Sequence, residues 1–475
     1  MKIAFIYPKI GMYKELLGTD GYVENMSAYP PLSLAYAAAI ARKAGHTPCI
    51  IDGNILGMDI DAVASRIKDF SPDILGFTLT APTFWPVYRL ICGLKKIFSL
   101  PVIAGGGLFS LYPRETMRHK YIDFGFIGSS GNSLPRFLEA WEKDGDFRAI
   151  AGLCFRDKGT IFVNPLDNGF ENLDDLPFPA RDLLDNSRYH SPFSEKKNFT
   201  PFLTSKGCLF RCAYCCLPGQ LIQRKPVCVL EELRECYSRF GIRDFDMYDT
   251  VFTADKEKVL EICAGIRRSG MKISWIARTH ITLVDREILE ALSSAGCSML
   301  MYGIESLDEK VLSALCRPAV GAEYIRKKVR ETKRAGISAF GFFMLGCPGE
   351  DASSVEKTIK ASVSLGLDFA QFTRLTPIGG TPLYERYKLV YKQDYWKIAV
   401  EQEGDKKEMF PLDTGLSGAE IMRLVRSANI GFYFRFSQMF RIACRVRSPR
   451  QLINFLRAGG NILFSFLFRN WFASP

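Results

Sequence analysis

The sequence predicts an α/β protein in three parts: an N-terminal doubly wound parallel sheet, a partial or full βα barrel, and a C-terminal helical region. Three observations predict it. Short apolar runs alternate with helical patterns in two successive series, glycine turns follow the strand ends, and the last segment changes to a composition dominated by Phe and Arg. In the first series Lys2 to Tyr7 reads as a strand, Leu32 to Ala44 as a helix ended by Gly45, and Thr47 to Asp52 as a second strand. Ala62 to Phe70 is a helix, Asp73 to Leu79 a strand, Val87 to Phe98 a helix, and Pro101 to Ala104 a strand running into Gly105, Gly106 and Gly107. Tyr121 to Ile127 leads to the turn Gly128 to Gly131, and a helix starts at Leu134. Sheets of this type bind ligands at the carboxyl ends of their strands, where these glycine turns fall.

From 146 to 199 the pattern loosens into Pro, Asn and Asp, as in ENLDDLPFPARDLL, and reads as a linker between a domain over 1–145 and a barrel over 200–395. The barrel strands are predicted at Phe202 to Thr204, Asp244 to Tyr248, Ser274 to Ala277, Met299 to Gly303, Ala339 to Phe343 and Phe369 to Arg374. Residues 396–475 read as the helical, basic and aromatic remainder.

Composition narrows the function classes. A length of 475 residues accommodates two or three domains at roughly 100 to 200 residues each. Hydrophobic residues at 47% and charged residues at 24% are ordinary for globular chains and exclude wholesale disorder, collagen and a polytopic membrane architecture. The net charge of +11 is uneven: Ser417 to Pro475 holds nine Arg, no Lys and one acid, Glu420, and so contributes +8 of it. A nucleic-acid binder would be basic over its body, so no nucleic-acid partner is expected. Fourteen cysteines without a secretory signal at MKIAFIYPKI point to a reducing, cytoplasmic compartment, where clustered thiols are metal ligands or reactive groups more often than disulfides.

The chemistry-bearing motif follows the first barrel strand: Thr204-Ser-Lys-Gly-Cys208-Leu-Phe-Arg-Cys212-Ala-Tyr-Cys215-Cys216. Three thiolates at C-x3-C-x2-C on a tight loop can bind three irons of a 4Fe-4S cubane and leave the fourth iron open to chelate a cofactor. A zinc site or a set of buried thiols is the alternative. Zinc sites usually bring four ligands in paired groups, whereas this chain has no second C-x2-C pair and only four His, none near the triad. Cys216 is read as a spectator thiol beside a ligand.

With the triad in place the chain resembles the radical S-adenosylmethionine (SAM) superfamily, and the resemblance extends along the barrel. Tyr214 matches the aromatic position near the adenine, and Asp246-Met-Tyr-Asp249-Thr-Val-Phe252 resembles the second-strand segment of the cobalamin-binding subgroup. Gly303-Ile-Glu305-Ser306 matches the fourth-strand motif whose acid approaches the ribose, and Gly341 to Gly346 with Pro348-Gly-Glu350 resembles the fifth-strand segment supporting the adenine. The resemblance implies a 4Fe-4S cluster held by Cys208, Cys212 and Cys215, reductive cleavage of SAM to methionine and a 5′-deoxyadenosyl radical, and a one-electron donor such as flavodoxin or ferredoxin. Arg278 is read either as a partner for a carboxylate of SAM or as one half of an ordinary salt bridge.

The first domain resembles the Rossmann-like cobalamin-binding domain that precedes the barrel in one large subgroup, which includes the anaerobic magnesium-protoporphyrin ester cyclase and cobalamin-dependent radical methyltransferases. The supporting residues are Tyr29 to His46, the strand end at Asp52, Thr78 and Thr80 after the third strand, and the turns at Gly105, Gly106, Gly107 and Gly128. Two departures stand out: Gly106-Gly107-Leu108-Phe109 replaces a Gly-Gly-x-His turn, and Gly128-Ser-Ser-Gly131-Asn-Ser133 replaces a GEGE-like one. Asp52-Gly-Asn54-Ile-Leu-Gly57 has only the outline of a cobalt-ligating D-x-H-x-x-G, so His46 and His119 are expected to be structural and the protein to supply no histidine to the metal. The expected reaction is C-methylation of an unactivated carbon. A ring-forming or oxygen-inserting reaction and a noncatalytic cobalamin and iron-sulfur sensor are the alternatives.

The tail includes Gly431-Phe-Tyr-Phe-Arg-Phe436 and ends with Ile462 to Phe468 and Arg469-Asn-Trp471-Phe472. The apolar stretch is far shorter than the ~20 residues that span a bilayer. Mixed Arg, Phe and Trp suit either peripheral contact with an anionic membrane or a lid over the barrel mouth, and both imply an apolar or lipid-like small-molecule substrate.

Overall fold

A computed structural model describes residues 1–9, 28–166, 172–196, 198–217, 219–403, 414–444, 446, 452–453, 455–456 and 459–460. The chain divides into two compact units, one of 1–13, 30–188 and 393–406, the other of 14–29, 189–392 and 407–475.

The first unit is built on strands β1 (Lys2–Tyr7), β2 (Thr47–Asp52), β3 (Ile74–Thr78), β4 (Val102–Gly105), β5 (Phe124–Phe126), β6 (Leu153–Asp157) and β7 (Thr160–Val163), in the order β2-β1-β3-β4-β5-β6-β7. β1 to β5 are parallel, while β6 and β7 run antiparallel. The parallel strands read as continuous apolar runs because helices cover both faces. The helix Leu32–Lys43 buries Ala35, Ala38, Ala39 and Ala41, small residues that let its backbone lie close to the sheet beside Ile3, Phe5 and Phe137. The helix Ile60–Phe70 starts where the Asp59 side chain accepts from Ala62 N at 2.9 Å and stops at Ser71 in the left-handed region. Because β1 lies between β2 and β3, the crossovers leave it in opposite directions and open a crevice at the carboxyl ends of β1 and β3.

Two boundaries differ from the sequence reading. The stretch 146–199, expected as a linker, contains β6 and β7, which pair as a hairpin and extend the sheet beyond β5. Residues 393–406, expected at the junction of the barrel and the tail, belong to the first unit. There Asp394 caps the helix Tyr395–Glu401 and accepts from the Tyr112 hydroxyl at 2.9 Å, and Trp85 Nε1 donates to Ala399 O at 2.8 Å.

The second unit has a hairpin of β9 (Ser205–Cys208) and β10 (Gln220–Gln223), and an all-parallel sheet of β8 (Phe199–Phe202), β11 (Asp244–Met247), β12 (Ser274–Thr279), β13 (Cys297–Glu305), β14 (Ser338–Leu345) and β15 (Phe369–Arg374). The sheet order is β15-β14-β13-β12-β11-β8, so the six strands form an open, partial barrel with β8 and β15 at its edges. Outward side chains such as Phe245, Trp275, Leu300 and Phe343 meet the surrounding helices in one large core. On the inner face Ile276, Met299, Met301, Phe340 and Phe369 form a separate apolar cluster that Phe193, Tyr433, Ile442 and Phe455 join.

The two tail helices pack against β15. The helix Gly418–Tyr433 sends Ile421, Val425, Ala428 and Phe432 into the outer core, and its Tyr433 hydroxyl bonds the backbone of Ala370. The helix Phe436–Ala443 follows, and Gln438 and Arg441 donate to the carbonyls of Asp368 and Leu367, just before β15 begins. The first of these helices thus runs along β15 from beside Arg374, where a Cβ on Gly418 would lie 3.3 Å from the guanidinium, down to Ala370, and only the helix Phe436–Ala443 lies at the amino end of that strand. Residues 461–475, with the Trp471 and Phe472 pair, lie outside the described residues.

Candidate functional site

The cysteine loop is fixed from three sides. β8 hands the chain to Thr204 and Ser205, whose backbone N–H and hydroxyl donate to the Asp249 carboxylate at 3.0 and 2.6 Å. Asp249 is buried at the end of β11, and desolvation pushes its carboxyl up to about 6 against the pull of those donors. Its place in the molecule is to tie β11 to the start of the loop. The β9–β10 hairpin then closes over Gly207, whose φ is +90°, and a Cβ there would stand 1.8 Å from Gln220 O. Only glycine permits both the conformation and the approach. Beyond it, Ala213 N donates to Leu315 O at 2.9 Å and Leu383 N to Ala213 O at 2.8 Å.

Cys208 and Cys212 are buried, Cys215 is half-buried and Cys216 is exposed. Burial pushes the Cys208 and Cys215 thiols up, while the N–H groups of Phe210 and Leu217 pull them down. Among the described residues no three His, Cys, Asp or Glu side chains close around a single metal ion. A cubane does not require that, because each thiolate takes a different iron and the three sulfurs stand at separate corners. The walls are apolar, formed by Val311, Leu315, Cys347, Leu375, Leu383 and Tyr387, and the one cation on the triad is Arg317, which donates to Cys212 Sγ at 3.5 Å among the described residues. Three thiols, backbone donors and a dry wall fit an iron-sulfur cluster.

Beside the triad stands a buried group that the sequence reading only half identified. β13 carries a register shift between Gly303 and Glu305, and Glu305 sits at φ +67°, a conformation costing a non-glycine residue on the order of 1 kcal/mol. The bulge turns the Glu305 carboxylate toward Arg317, at 3.8 Å. Arg317 also donates to the Tyr214 hydroxyl at 3.2 Å and to Gly303 O. Gly303 makes room for this: a Cβ there would lie 2.7 Å from Glu305 Oε1 and 2.8 Å from Arg317 Nη2. Burial pushes the Glu305 carboxyl up, with Arg317 and the Tyr214 hydroxyl opposing it. Burial also raises the Tyr214 phenol far above its usual range. Arg317 was missed because it falls in an unremarkable Leu-Cys-Arg-Pro stretch with no spacing relation to the motifs.

Ser306, grouped with Glu305 by the motif, is fully buried; its hydroxyl lies 3.3 Å from Thr358 Oγ1 and accepts from Asp308 N at 3.2 Å, so it shapes the loop after the bulge. Gly346, at φ +82°, ends β14, and its N–H and that of Cys347 donate to Glu350 at 2.6 and 2.8 Å. Desolvation pushes Glu350 up to about 7. Arg278 makes a two-point pair with Asp246 at 2.5 and 3.0 Å, stacks over Tyr248, and shares that carboxylate with the Tyr29 hydroxyl at 2.9 Å. Asp246 is fully buried. The salt-bridge reading of Arg278 is therefore realised, as an internal pair.

In the first unit the glycine turns gather at the carboxyl edge of the sheet. Gly106 has φ +114°, and a Cβ there would meet Leu79 O at 2.5 Å and Thr78 Oγ1 at 3.0 Å, so β3 and the turn after β4 touch through backbone. Gly105 ends β4, while Gly107 is exposed with open space where a side chain would be. Thr80 bonds Thr83 Oγ1 at 2.7 Å, and Gly128, at φ +72°, donates to Ser110 Oγ at 2.9 Å. This edge, stripped of side chains at Gly105 to Gly107, fits a bulky planar ligand. His46 precedes β2 at the opposite edge, 3.4 Å from the N-terminal nitrogen. His119 is boxed by Phe84, Trp85 and Tyr88, with Nε2 2.8 Å from Val400 O. Burial lowers the basicity of both.

Comparison with known proteins identifies both domains. The B12 binding domain model matches residues 26–138 and the Radical SAM superfamily model residues 202–361. An uncharacterized methyltransferase of Pyrococcus horikoshii is 30% identical, covering 92% of this chain and 93% of its own. The cytidylyl-2-hydroxyethylphosphonate methyltransferase of Streptomyces wedmorensis is 22% identical over 79% of this chain and 83% of its own. The solved radical SAM methyltransferase TsrM of Kitasatospora setae, with cobalamin and a [4Fe-4S] cluster bound, shares the fold at a TM-score of 0.66 and 18% identity, covering 82% of this chain and 75% of that one. With the two domains in this order and a relative matched along nearly its whole length, the chain belongs to the cobalamin-binding radical SAM enzymes, whose cofactors are a 4Fe-4S cluster, SAM and cobalamin.

Proposed function

We propose that this enzyme methylates an unactivated carbon of an apolar small molecule, with electrons from a flavodoxin- or ferredoxin-type donor. The observation that carries the reading is the full-length similarity to a methyltransferase, joined to a barrel whose inner face is apolar at Ile276, Met299, Met301 and Phe340. When bound, the cluster and SAM supply a 5′-deoxyadenosyl radical after one-electron reduction, and cobalamin carries the methyl group. The chain's own residues prepare the place. Cys208, Cys212 and Cys215 present three thiols on a loop held by Asp249, and Arg317 offsets the negative charge that thiolates bring into an apolar wall. Tyr214 and the bulge-directed Glu305 stand beside the triad as groups for the adenosine portion of SAM, with the Gly346 turn held by Glu350.

The test is anaerobic reconstitution of the full chain with iron, sulfide, cobalamin, SAM and reductant. 5′-Deoxyadenosine and S-adenosylhomocysteine should both accumulate with an acceptor present. Ala at Cys208, Cys212 or Cys215 should abolish both products and most bound iron, and Cys216→Ala should keep them. Release of 5′-deoxyadenosine without any S-adenosylhomocysteine across apolar acceptors would refute methyl transfer while leaving radical generation standing.

A further inference from the structure

The helix Phe436–Ala443 meets the barrel with a mixed side: Ile442 packs against the inner apolar cluster, Gln438 is fully buried and donates to Asp368 O, and Arg441 donates to Leu367 O. Its outer side is apolar, with Phe436 87%, Phe440 65% and Met439 54% exposed. Single exposed apolar residues are normal, but a helix face made of them marks an interaction surface. The short described pieces that follow expose Leu452, Ile453 and Leu456, while Phe455 between them rests on Phe369 at the same barrel end, with ring centroids 5.6 Å apart.

We infer that this face docks on an anionic membrane surface. Charge selects the occupant: the segment 417–475 carries nine Arg, no Lys and one acid, so a bilayer rich in acidic headgroups is complementary to it. Two copies of the same face would bring like charges together, which disfavours a self-interface. No helix among the described residues is long and apolar enough to cross a membrane, in keeping with attachment in the interface plane. The position of the helix adds a consequence that the composition of the tail does not contain. Since the docking face lies at the amino ends of β14 and β15, the carboxyl ends that bear the cysteine loop point away from the bilayer. Docking then localises the enzyme and does not feed lipid directly into the mouth. This inference is independent of the methyl-transfer reading.

The experiment is sedimentation of the full-length, cluster-loaded protein with vesicles of zwitterionic lipid alone or mixed with an anionic lipid, at low and high salt. Binding is expected on the anionic vesicles only, weaker at high salt. The variant Phe436→Ser/Met439→Ser/Phe440→Ser should lose binding on the order of tenfold or more, with its iron content and thermal midpoint unchanged because all three side chains are exposed. A wild-type protein that stays in the supernatant with anionic vesicles overturns the inference. So does a dimer that the triple variant dissolves without any vesicle binding by the wild type, which would make the face a contact between copies. A chain ending at residue 460 that binds where the full chain does not would also overturn it, since residues 461–475 would then be the occupant of the face.

Discussion

Replacing Arg317 with Met tests the buried group beside the cysteine triad. The guanidinium and the Glu305 carboxylate are 9% and 10% exposed and 3.8 Å apart. At that separation and an effective dielectric near 20, their attraction is about 4 kcal/mol. Removing one partner of a buried pair costs about 3 to 5 kcal/mol, because the other charge is left without compensation. Arg317→Met should therefore weaken local stability by about that amount, read as faster anaerobic hydrogen exchange in peptides covering 297–305. The double variant Glu305→Gln/Arg317→Met removes both charges and should regain about 2 kcal/mol or more of the loss. The pH dependence has a definite sign. Burial already raises the Glu305 carboxyl and Arg317 opposes that rise, so removing Arg317 raises it further. The folded variant then holds a proton that the unfolded chain releases, and stability falls as pH rises through the folded value. The deficit should be larger at pH 8 than at pH 6. Additive effects within about 0.5 kcal/mol, or a deficit that shrinks as pH rises, would refute the pairing.

Gly303→Ala places a methyl 2.7 Å from Glu305 and 2.8 Å from Arg317, so SAM affinity measured by calorimetry should drop about tenfold or more through loss of a charge-assisted hydrogen bond while the iron content holds. Glu350 is raised to about 7, so it contributes stability below its unfolded value that is lost as pH climbs through 7; Glu350→Gln should flatten the decline between pH 5 and 8 by up to about 3 kcal/mol, at 1.36 kcal/mol per unit, in denaturation midpoints taken across that range. Trp85→Phe deletes the donor to Ala399 O and should weaken the attachment of 393–406 by about 1 kcal/mol, seen as faster limited proteolysis there, whereas an unchanged cleavage rate would show that the bond holds nothing. His46→Ala and His119→Ala should leave the spectrum of the cobalamin-loaded protein unaltered, and loss of a nitrogen-ligated cobalt(II) resonance in either variant would contradict the structural role of that ring.

The order of the elements and the iron-sulfur chemistry were legible along the chain. Both signals are local. The apolar periodicity that placed β1 at Lys2 to Tyr7 and β15 at Phe369 to Arg374 reports which residues face a core within a few positions, and C-x3-C-x2-C needs only one loop to bring its thiols together. The glycine turns at Gly105 to Gly107 and at Gly128 were legible for the same reason, since a positive φ or a missing side chain is a property of one residue. Relations across long stretches of chain were not legible there and emerge only from packing. Arg317 reaches Cys212 over 105 positions, and Asp249 reaches Ser205 over 44. Trp85 reaches Ala399 over 314, which assigns 393–406 to the first unit. Composition showed that the tail was basic and aromatic, but it contained nothing about which barrel end the tail would cover. For the helix Phe436–Ala443 that was settled by hydrogen bonds from Gln438 and Arg441 to the carbonyls of Asp368 and Leu367, just before the edge strand β15. Spacing along a chain encodes what neighbouring residues do together, and packing encodes which distant segments meet.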